Sequence, residues 1–371
     1  MSPLEGIKVV ELARILAGPW AGQVLADLGA EVIKVESPAG DDTRGWGPPF
    51  VENEDGSSDA AYFHAANRGK SSVVIDFTTP EGQAQVRELV RDADVVIENF
   101  KLGGLAKYGL DYASLSELNP RLIYCSITGF GQDGPYAARA GYDFIVQGMS
   151  GLMDITGEPD GAPMKIGVAY ADILTGLYAV IGIEAALHQR EATGRGQMVD
   201  MALFDVMVGT LANQAMNYLV SGKAPKRLGN AHPNIVPYEA FPTVDGWAII
   251  AVGNDAQFAR LAELLGLETK PEWATNAGRV GDRAAVSPAV AAKTRGWERD
   301  ALLAALEERG IPAGPINTVP EALADPQIAA RGMVLEMEGG LQGLRTPIRF
   351  SDAELALGKA SPKLGPKLGE S

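Results

Sequence analysis

The chain has 371 residues, of which 46% are hydrophobic, 21% charged and 7% aromatic. That composition suits a globular protein of two domains with a large core, and its apolar content excludes a chain that stays solvated and disordered. With 47 acidic and 32 basic residues the net charge is −15, which repels nucleic acid and anionic membranes and leaves any polyphosphate ligand to a few well-placed Lys and Arg.

The N-terminal half alternates short apolar runs with helical segments. Strands are predicted over Ile7 to Leu12, Glu31 to Glu36, Ser72 to Asp76, Asp94 to Ile97 and Leu122 to Ile127, and helices over Gly18 to Leu28 and Thr79 to Arg91. Strands spaced by helices indicate parallel βαβ units, hence an α/β fold with a Rossmann-like doubly wound sheet. The first unit carries Gly18 and Gly22 and ends on Glu36, as a dinucleotide-binding unit would. Three residues separate those glycines, however, and Pro19 removes a backbone donor. The glycines therefore read as room for tight helix–strand packing. Arg44, Arg68, Lys70, Lys101 and Lys107 fall in segments where such a sheet gathers ligands. They are candidate anion contacts, although a single Lys or Arg is more often a solvated surface residue.

Cys125 is the one cysteine, so no internal disulfide forms, and its apolar neighbours make it core rather than nucleophile. Met1 to Leu12 has neither the basic start nor the apolar run of a signal peptide, and the apolar stretch Ile173 to Ile183 is too short to span a bilayer. The expectation is a soluble, cytoplasmic protein with no membrane or nucleic-acid partner.

From Tyr170 an apolar helix is predicted to run to His188 and stop at Ala192 to Gly196, buried because it is hydrophobic on most faces. A second helix follows over Val199 to Val220. The domain limits are then 1–197 for the large domain, 198–221 for a connecting helix, 222–315 for a small α+β domain and 316–371 for a C-terminal segment. In the small domain, Ile235 to Thr243 and Trp247 to Val252 form a hairpin around Val244-Asp245-Gly246, with helices at Asp255 to Leu265 and Glu298 to Arg309. The last segment holds a helix at Glu321 to Ala330, strands at Gly332 to Glu338 and Leu344 to Phe350, and a loose tail from Gly358 to Ser371.

His64, His188 and His232 show no metal-ligand spacing, so no metal is expected, and neither a serine elbow nor a P-loop is present. One residue stands out: Asp172, in the opening turn of the apolar helix. It reads either as the helix cap or as a nucleophile. Unpaired amides at a helix start favour an ionised carboxylate, and partial burial strips the water that would blunt it.

The ordered blocks Leu4-Glu5-Gly6-Ile7-Lys8-Val9, Ala17-Gly18-Pro19, Leu28 to Glu36, Asp42-Thr43-Arg44, Glu98-Asn99-Phe100, Gly141-Tyr142-Asp143, Thr193 to Gln197 and Leu323-Ala324-Asp325-Pro326 give nearly the whole chain a family likeness. It resembles the class III CoA-transferases, the family of formyl-CoA transferase and carnitine CoA-transferase. Its dicarboxylate-handling members are nearest in appearance, on Tyr124 to Gly129, Gly148 to Met153, and His232 with Ile235 to Tyr238. The resemblance implies a CoA-binding large domain to which the C-terminal segment returns, and an interlocked homodimer. It also implies transfer of CoA from an acyl-CoA such as succinyl-CoA to a carboxylic acid, with no permanently bound cofactor.

By the same resemblance Asp172 is the nucleophile. Ile15 and Leu16 line the CoA site, Ile75, Asn99, Phe100 and Lys107 contact the nucleotide end, and Tyr142 and Asp143 lie near Asp172. Ser37 stands where many members carry an adenine-facing Arg. The chain stops soon after Pro366 to Gly369, where relatives usually continue into a terminal helix. Arg44, Arg139 and His232 are candidates for a second substrate carboxylate. The alternatives are a 2-methylacyl-CoA racemase, for which Tyr142 is a poor base beside Asp143, and a non-catalytic CoA-binding protein.

Overall fold

A computed structural model describes residues 1–53 and 55–368; the end of the tail, Gly369 to Ser371, lies outside the described residues. Six strands form a wholly parallel sheet: β1 (Lys8–Glu11), β2 (Glu31–Glu36), β3 (Ser71–Val74), β4 (Val95–Glu98), β5 (Ile123–Thr128) and β6 (Met198–Ala202). Their order is β3-β2-β1-β4-β5-β6, that of a doubly wound dinucleotide-binding sheet. Side chains alternate between its faces, as a strand requires. Val9, Val32, Val95, Ile97 and Cys125 pack on one side, against the helices Ala17–Asp27 and Tyr170–Thr193. Val10, Val35, Val73, Val96 and Tyr124 pack on the other, with Val86 and Val90 from the helix Pro80–Arg91. Each fully covered aliphatic side chain there contributes roughly 1.5–3 kcal/mol.

Local signals set the helix ends. Thr79 Oγ1 accepts from the Gly82 amide at 3.1 Å, with Pro80 in the first turn. Gly194 closes Tyr170–Thr193 at φ 70°. The glycines of the first unit are packing residues, as the faulty fingerprint implied. A Cβ on Gly18 would sit 2.3 Å from the Ala13 Cβ, and one on Gly22 would sit 1.8 Å from Glu11 Oε2.

Several expectations change. The strand expected over Leu344 to Phe350 lies instead at Gln342–Leu344, where it pairs with Val334–Glu336. The segment read as one helix over Val199 to Val220 begins as the edge strand β6 and continues as two helices, Leu203–Gly209 and Ala212–Ser221, because Met198 to Ala202 finds open ladder positions on β5 that no local pattern announces. The Tyr170–Thr193 helix is not covered all round: Leu177, Tyr178 and Ile181 are exposed along one face. By length and composition that helix is also apolar enough to cross a membrane; here it packs on the sheet and on Ala17–Asp27. Finally, the helix expected over Glu321 to Ala330 is broken at Asp325-Pro326 into Val319–Ala324 and Pro326–Ala330.

The described residues divide into two compact units. The first holds 1–152, 165–221 and the described residues from Pro326 onward; the second holds 153–164 and 222–325. In the first, the C-terminal stretch is tied down: Asp27 accepts from Arg68 and from Thr346, and Pro366 accepts the Val74 amide at 3.0 Å along the edge of β3. The second is built on an antiparallel sheet of Ala313–Pro315, Trp247–Ala251 and Tyr238–Pro242. It is covered by the helices Asp255–Leu265, Arg283–Thr294 and Arg299–Glu308 around Phe241, Ile250, Phe258 and Leu302. Arg279 is fully buried at its centre, donating to Val236 O, Trp273 O and Asp255.

Candidate active site

A doubly wound sheet leaves a crevice beyond the carboxyl ends of β1 and β4, where the strand order reverses. A cleft of about 580 Å³ lies there in the first unit, walled by the segments after β1, β2, β4 and β5 and reaching Asp172. After β1 the chain turns sharply: Ile15 adopts φ 72°, a conformation costly for a β-branched residue. Its neighbours hold it there. The Asn99 side chain clasps the Arg14 backbone, accepting from the amide at 2.9 Å and donating to the carbonyl at 2.7 Å. The Asp41 carboxylate accepts the Ile15 amide at 3.2 Å. Asn99 thus lines the cleft and shapes it, with both ends of its amide already engaged.

Beneath the cleft lies a buried ionic network. Glu11, wholly excluded from water, sits between the Lys34 and Lys70 ammonium groups at 3.0 and 2.8 Å, and Lys34 also pairs with Asp41 at 2.9 Å. Burial alone would pull both lysines down. For Lys34 the charges of Glu11, Asp41 and Glu36 overcome burial and lift it above the lysine range, whereas Lys70, with fewer carboxylates, falls to about 8. Burial likewise works against the charge on Glu36 and Asp41, yet Arg44 and Lys34 hold each below the usual carboxylate range.

At the far end of the cleft the charges are unmatched. The Tyr170–Thr193 helix opens on Ala169, which has no side chain to cap it. The cap comes from elsewhere in the chain: Asp143 Oδ1 accepts the Ala171 amide at 2.8 Å and the Asp172 amide at 3.4 Å. Asp143 is brought there because Gly129 and Gly141 pass so closely that a Cβ on either would lie 2.4 Å from the other's Cα. Asp172 is therefore not the cap. Burial, and then the neighbouring charge of Asp143, push its carboxyl up to about 7. The phenol of Tyr62 is raised too, by burial and then by the charges of Asp172, Asp143 and Asp41.

Of the residues expected at the site, Ile15, Leu16, Asn99, Phe100, Lys107, Tyr142, Asp143, Arg139 and Asp172 all line this cleft. Lys107 lies over the Tyr108 ring at 4.6 Å, and Phe77 meets Phe100 and Tyr108 edge-on at 5.7 Å each, giving an aromatic wall beside a cation. The exposed Arg139 guanidinium stacks on Tyr136 at 4.0 Å.

Other candidates lie elsewhere. Ile75 is buried in the sheet core, 2% exposed, and Phe77 and Thr78 take the place in the cleft wall expected of it. Arg44 is consumed by Glu36, Asp59 and the Pro362 carbonyl over the Phe63 ring, which leaves little to offer a substrate. Arg68 and Lys70, read as anion contacts, are spent on Asp27 and Glu11. His232 belongs to the second unit, where its Nδ1 accepts from the Asn234 amide at 3.1 Å and its carbonyl accepts from Arg283.

Sequence reasoning missed Asp41, Phe77 and Gln147. Asp41 immediately precedes the Asp42-Thr43-Arg44 block. Gln147 stands four residues after Asp143, the spacing that puts two side chains on one helix face.

A sequence model of CoA-transferase family III matches residues 4–367. The chain is 60% identical to the succinate–glutarate CoA-transferase of Agrobacterium fabrum (strain C58), over 98% of this chain and 93% of that protein. It is 42% identical to succinyl-CoA:glutarate CoA-transferase of Homo sapiens, over 98% of this chain and 84% of that one. The crystal structure of a CAIB/BAIF family protein from Brucella suis superposes with a TM-score of 0.90 at 65% identity, over 98% of this chain and 96% of its own. The Mycobacterium tuberculosis protein Rv3272 superposes with a TM-score of 0.86 at 30% identity, over 98% of each chain.

Proposed function

We propose, from the premise that the chain belongs to CoA-transferase family III, that it moves CoA from succinyl-CoA to a dicarboxylic acid such as glutarate, with Asp172 as the covalent nucleophile. The names of the relatives support the substrates. The observation that carries the chemistry is the Asp172 carboxylate, which faces the cleft without having to cap its own helix. A carboxyl pushed up to about 7 is more basic, and so more nucleophilic, than an ordinary aspartate, while about half of it is still ionised at neutrality.

In this reading the Asp172 carboxylate attacks the donor thioester and expels CoA thiolate, leaving a mixed anhydride. The thiolate attacks the aspartyl carbonyl, releasing the donor acid and leaving an aspartyl-CoA thioester. The acceptor carboxylate attacks that thioester to form a second anhydride and thiolate. The thiolate then takes the acceptor acyl group and frees Asp172. Each step exchanges one activated acyl group for another, so no external energy source is required. Ile15, Leu16, Phe100 and the aromatic wall at Phe77 would hold CoA, Lys107 and Lys101 would meet its phosphates, and Arg139 would meet the acceptor's far carboxylate.

We assign the working form to an interlocked homodimer in a cytoplasmic setting. In the first unit Leu177, Tyr178 and Ile181, with Met216, Tyr218, Leu219 and Val220 on the helix Ala212–Ser221, are large apolar side chains left exposed, which a second copy of the chain would cover. Size-exclusion chromatography with light scattering should give twice the chain mass.

The decisive experiment offers the enzyme succinyl-CoA with a panel of carboxylic acids and follows new thioesters by mass spectrometry, with peptide mapping of trapped mixtures. We expect glutaryl-CoA and a modified Asp172. Transfer at full rate by the Asp172→Asn variant would refute the nucleophile; exchange of α-hydrogens without carboxylate exchange would turn the reading to racemase chemistry.

A further inference from the structure

Asp143 caps a helix it does not belong to, and a carboxylate doing so needs something to hold it still. Gln147 sits one turn on in the helix Asp143–Met149 and is wholly buried. Its Nε2 donates to Asp143 Oδ2 at 2.8 Å, and its Oε1 accepts the Ile166 amide at 3.0 Å. One side-chain amide thus joins the capping carboxylate to the segment that leads into Asp172. Asp143 keeps its other oxygen, Oδ1, for the Ala171 and Asp172 amides. Cleft chemistry alone does not demand this glutamine, since it touches neither the cleft nor Asp172.

We propose that Gln147 is a positioning residue for CoA transfer, fixing Asp143 as the cap of the Tyr170–Thr193 helix so that the helix's first amides stay engaged with Asp143 and off the nucleophile. Amides at a helix start stabilise whatever anion they meet. Directed at Asp172 they would make it a weaker base and a poorer nucleophile; directed at Asp143 they leave Asp172 facing a fixed negative charge. That charge opposes the free carboxylate and not the uncharged anhydride or thioester, so it favours each acylation of Asp172. The charge that bears on Asp172 is that of Asp143, from the helix Asp143–Met149; the Tyr62 phenol, from the helix Ala61–His64, feels the charges of Asp172, Asp143 and Asp41 and is held neutral by burial and by them. The inference rests on the reading of Asp172 as nucleophile.

The test compares Gln147→Met, which loses both contacts, with Gln147→Glu, which still accepts from Ile166 but donates to Asp143 only while protonated. For Gln147→Met we expect kcat to fall about 10-fold or more with the KM for succinyl-CoA within about 3-fold, and the acid limb of the pH profile to move down by about one unit. For Gln147→Glu, kcat relative to wild type should fall as pH rises from about 6 to 8.5, because the shared proton is lost. A third measurement needs no turnover. Asp172→Asn should raise the melting temperature above pH 7 in the wild-type background, and by much less in the Gln147→Met background. If the wild type moves no CoA, the proposed function fails while this stability comparison still tests the positioning. If Gln147→Met keeps the wild-type kcat and pH limb, or loses activity with the limb and the stability comparison unmoved, Gln147 is structural only and the proposal is overturned.

Discussion

Two groups of carboxylates lie within the first unit, and the protein treats them in opposite ways. Under the cleft, Glu11, Glu36 and Asp41 each face a cation within 3.0 Å, and Glu36 and Asp41 titrate below their usual range. At the start of the Tyr170–Thr193 helix, burial and then the facing carboxylate of Asp143 push Asp172 up to about 7, with no cation paired to it among the described residues. Burial works against the charge in both groups, although Asp172 and Asp143 are only half-buried, so burial alone does not separate them. What separates them is pairing. A buried charge with its partner is architecture, because removing either member strands the other; a carboxylate set beside its like is held ready for a change of charge.

Breaking each side of that contrast should give distinct signatures. The largest effect belongs to Asp172→Asn, for which transfer should fall by about 10³-fold or more, read as the rate of glutaryl-CoA formation. The same substitution should stabilise the fold. With its folded pKa above the unfolded value, the wild-type carboxyl binds its proton more tightly in the native state. Its contribution is therefore favourable below about pH 4 and is lost as pH rises through 7. Asp172→Asn should accordingly gain about 1–3 kcal/mol in urea unfolding at pH 8, discounted for partial exposure, and almost nothing at pH 4.

Lys34→Met should do the reverse, costing about 3–5 kcal/mol of stability because Glu11 and Asp41 lose a shared partner in the interior. A variant as stable as wild type would show that the network tolerates an unpaired charge, and would erase the contrast. With substrate far below saturation, kcat/KM should rise about 10-fold per pH unit up to a midpoint near 7 and then level, reporting ionisation of Asp172; a midpoint near 4 would remove the roles given to burial and to Asp143. Smallest of all, Lys107→Met should raise the KM for acyl-CoA about 3- to 10-fold with kcat little changed, since one exposed cation meets phosphate in water.

How much of this was legible in the chain itself depends on range. The strands β1 to β5 and the helices Ala17–Asp27 and Pro80–Arg91 follow from apolar period, glycine placement and the Thr79 cap, all set by near neighbours. β6 was missed because Met198 to Ala202 becomes a strand only by pairing with β5, more than seventy residues earlier in the chain. The same limit governs the basic residues. Arg44, Arg68 and Lys70 looked like anion contacts because nothing local shows that Glu36, Asp27 and Glu11 already claim them, whereas Lys107 pairs with no carboxylate among the described residues.

By itself the sequence determined the alternation that makes a parallel sheet, and it singled out Asp172 by its position at the start of an apolar helix. Only the tertiary structure decided what that residue is free to do. The cap of its helix arrives from Asp143, twenty-nine positions earlier in the chain. Capping is a contact between atoms in space, and local sequence records which residue types sit near a helix end but not which distant carboxylate will reach its amides.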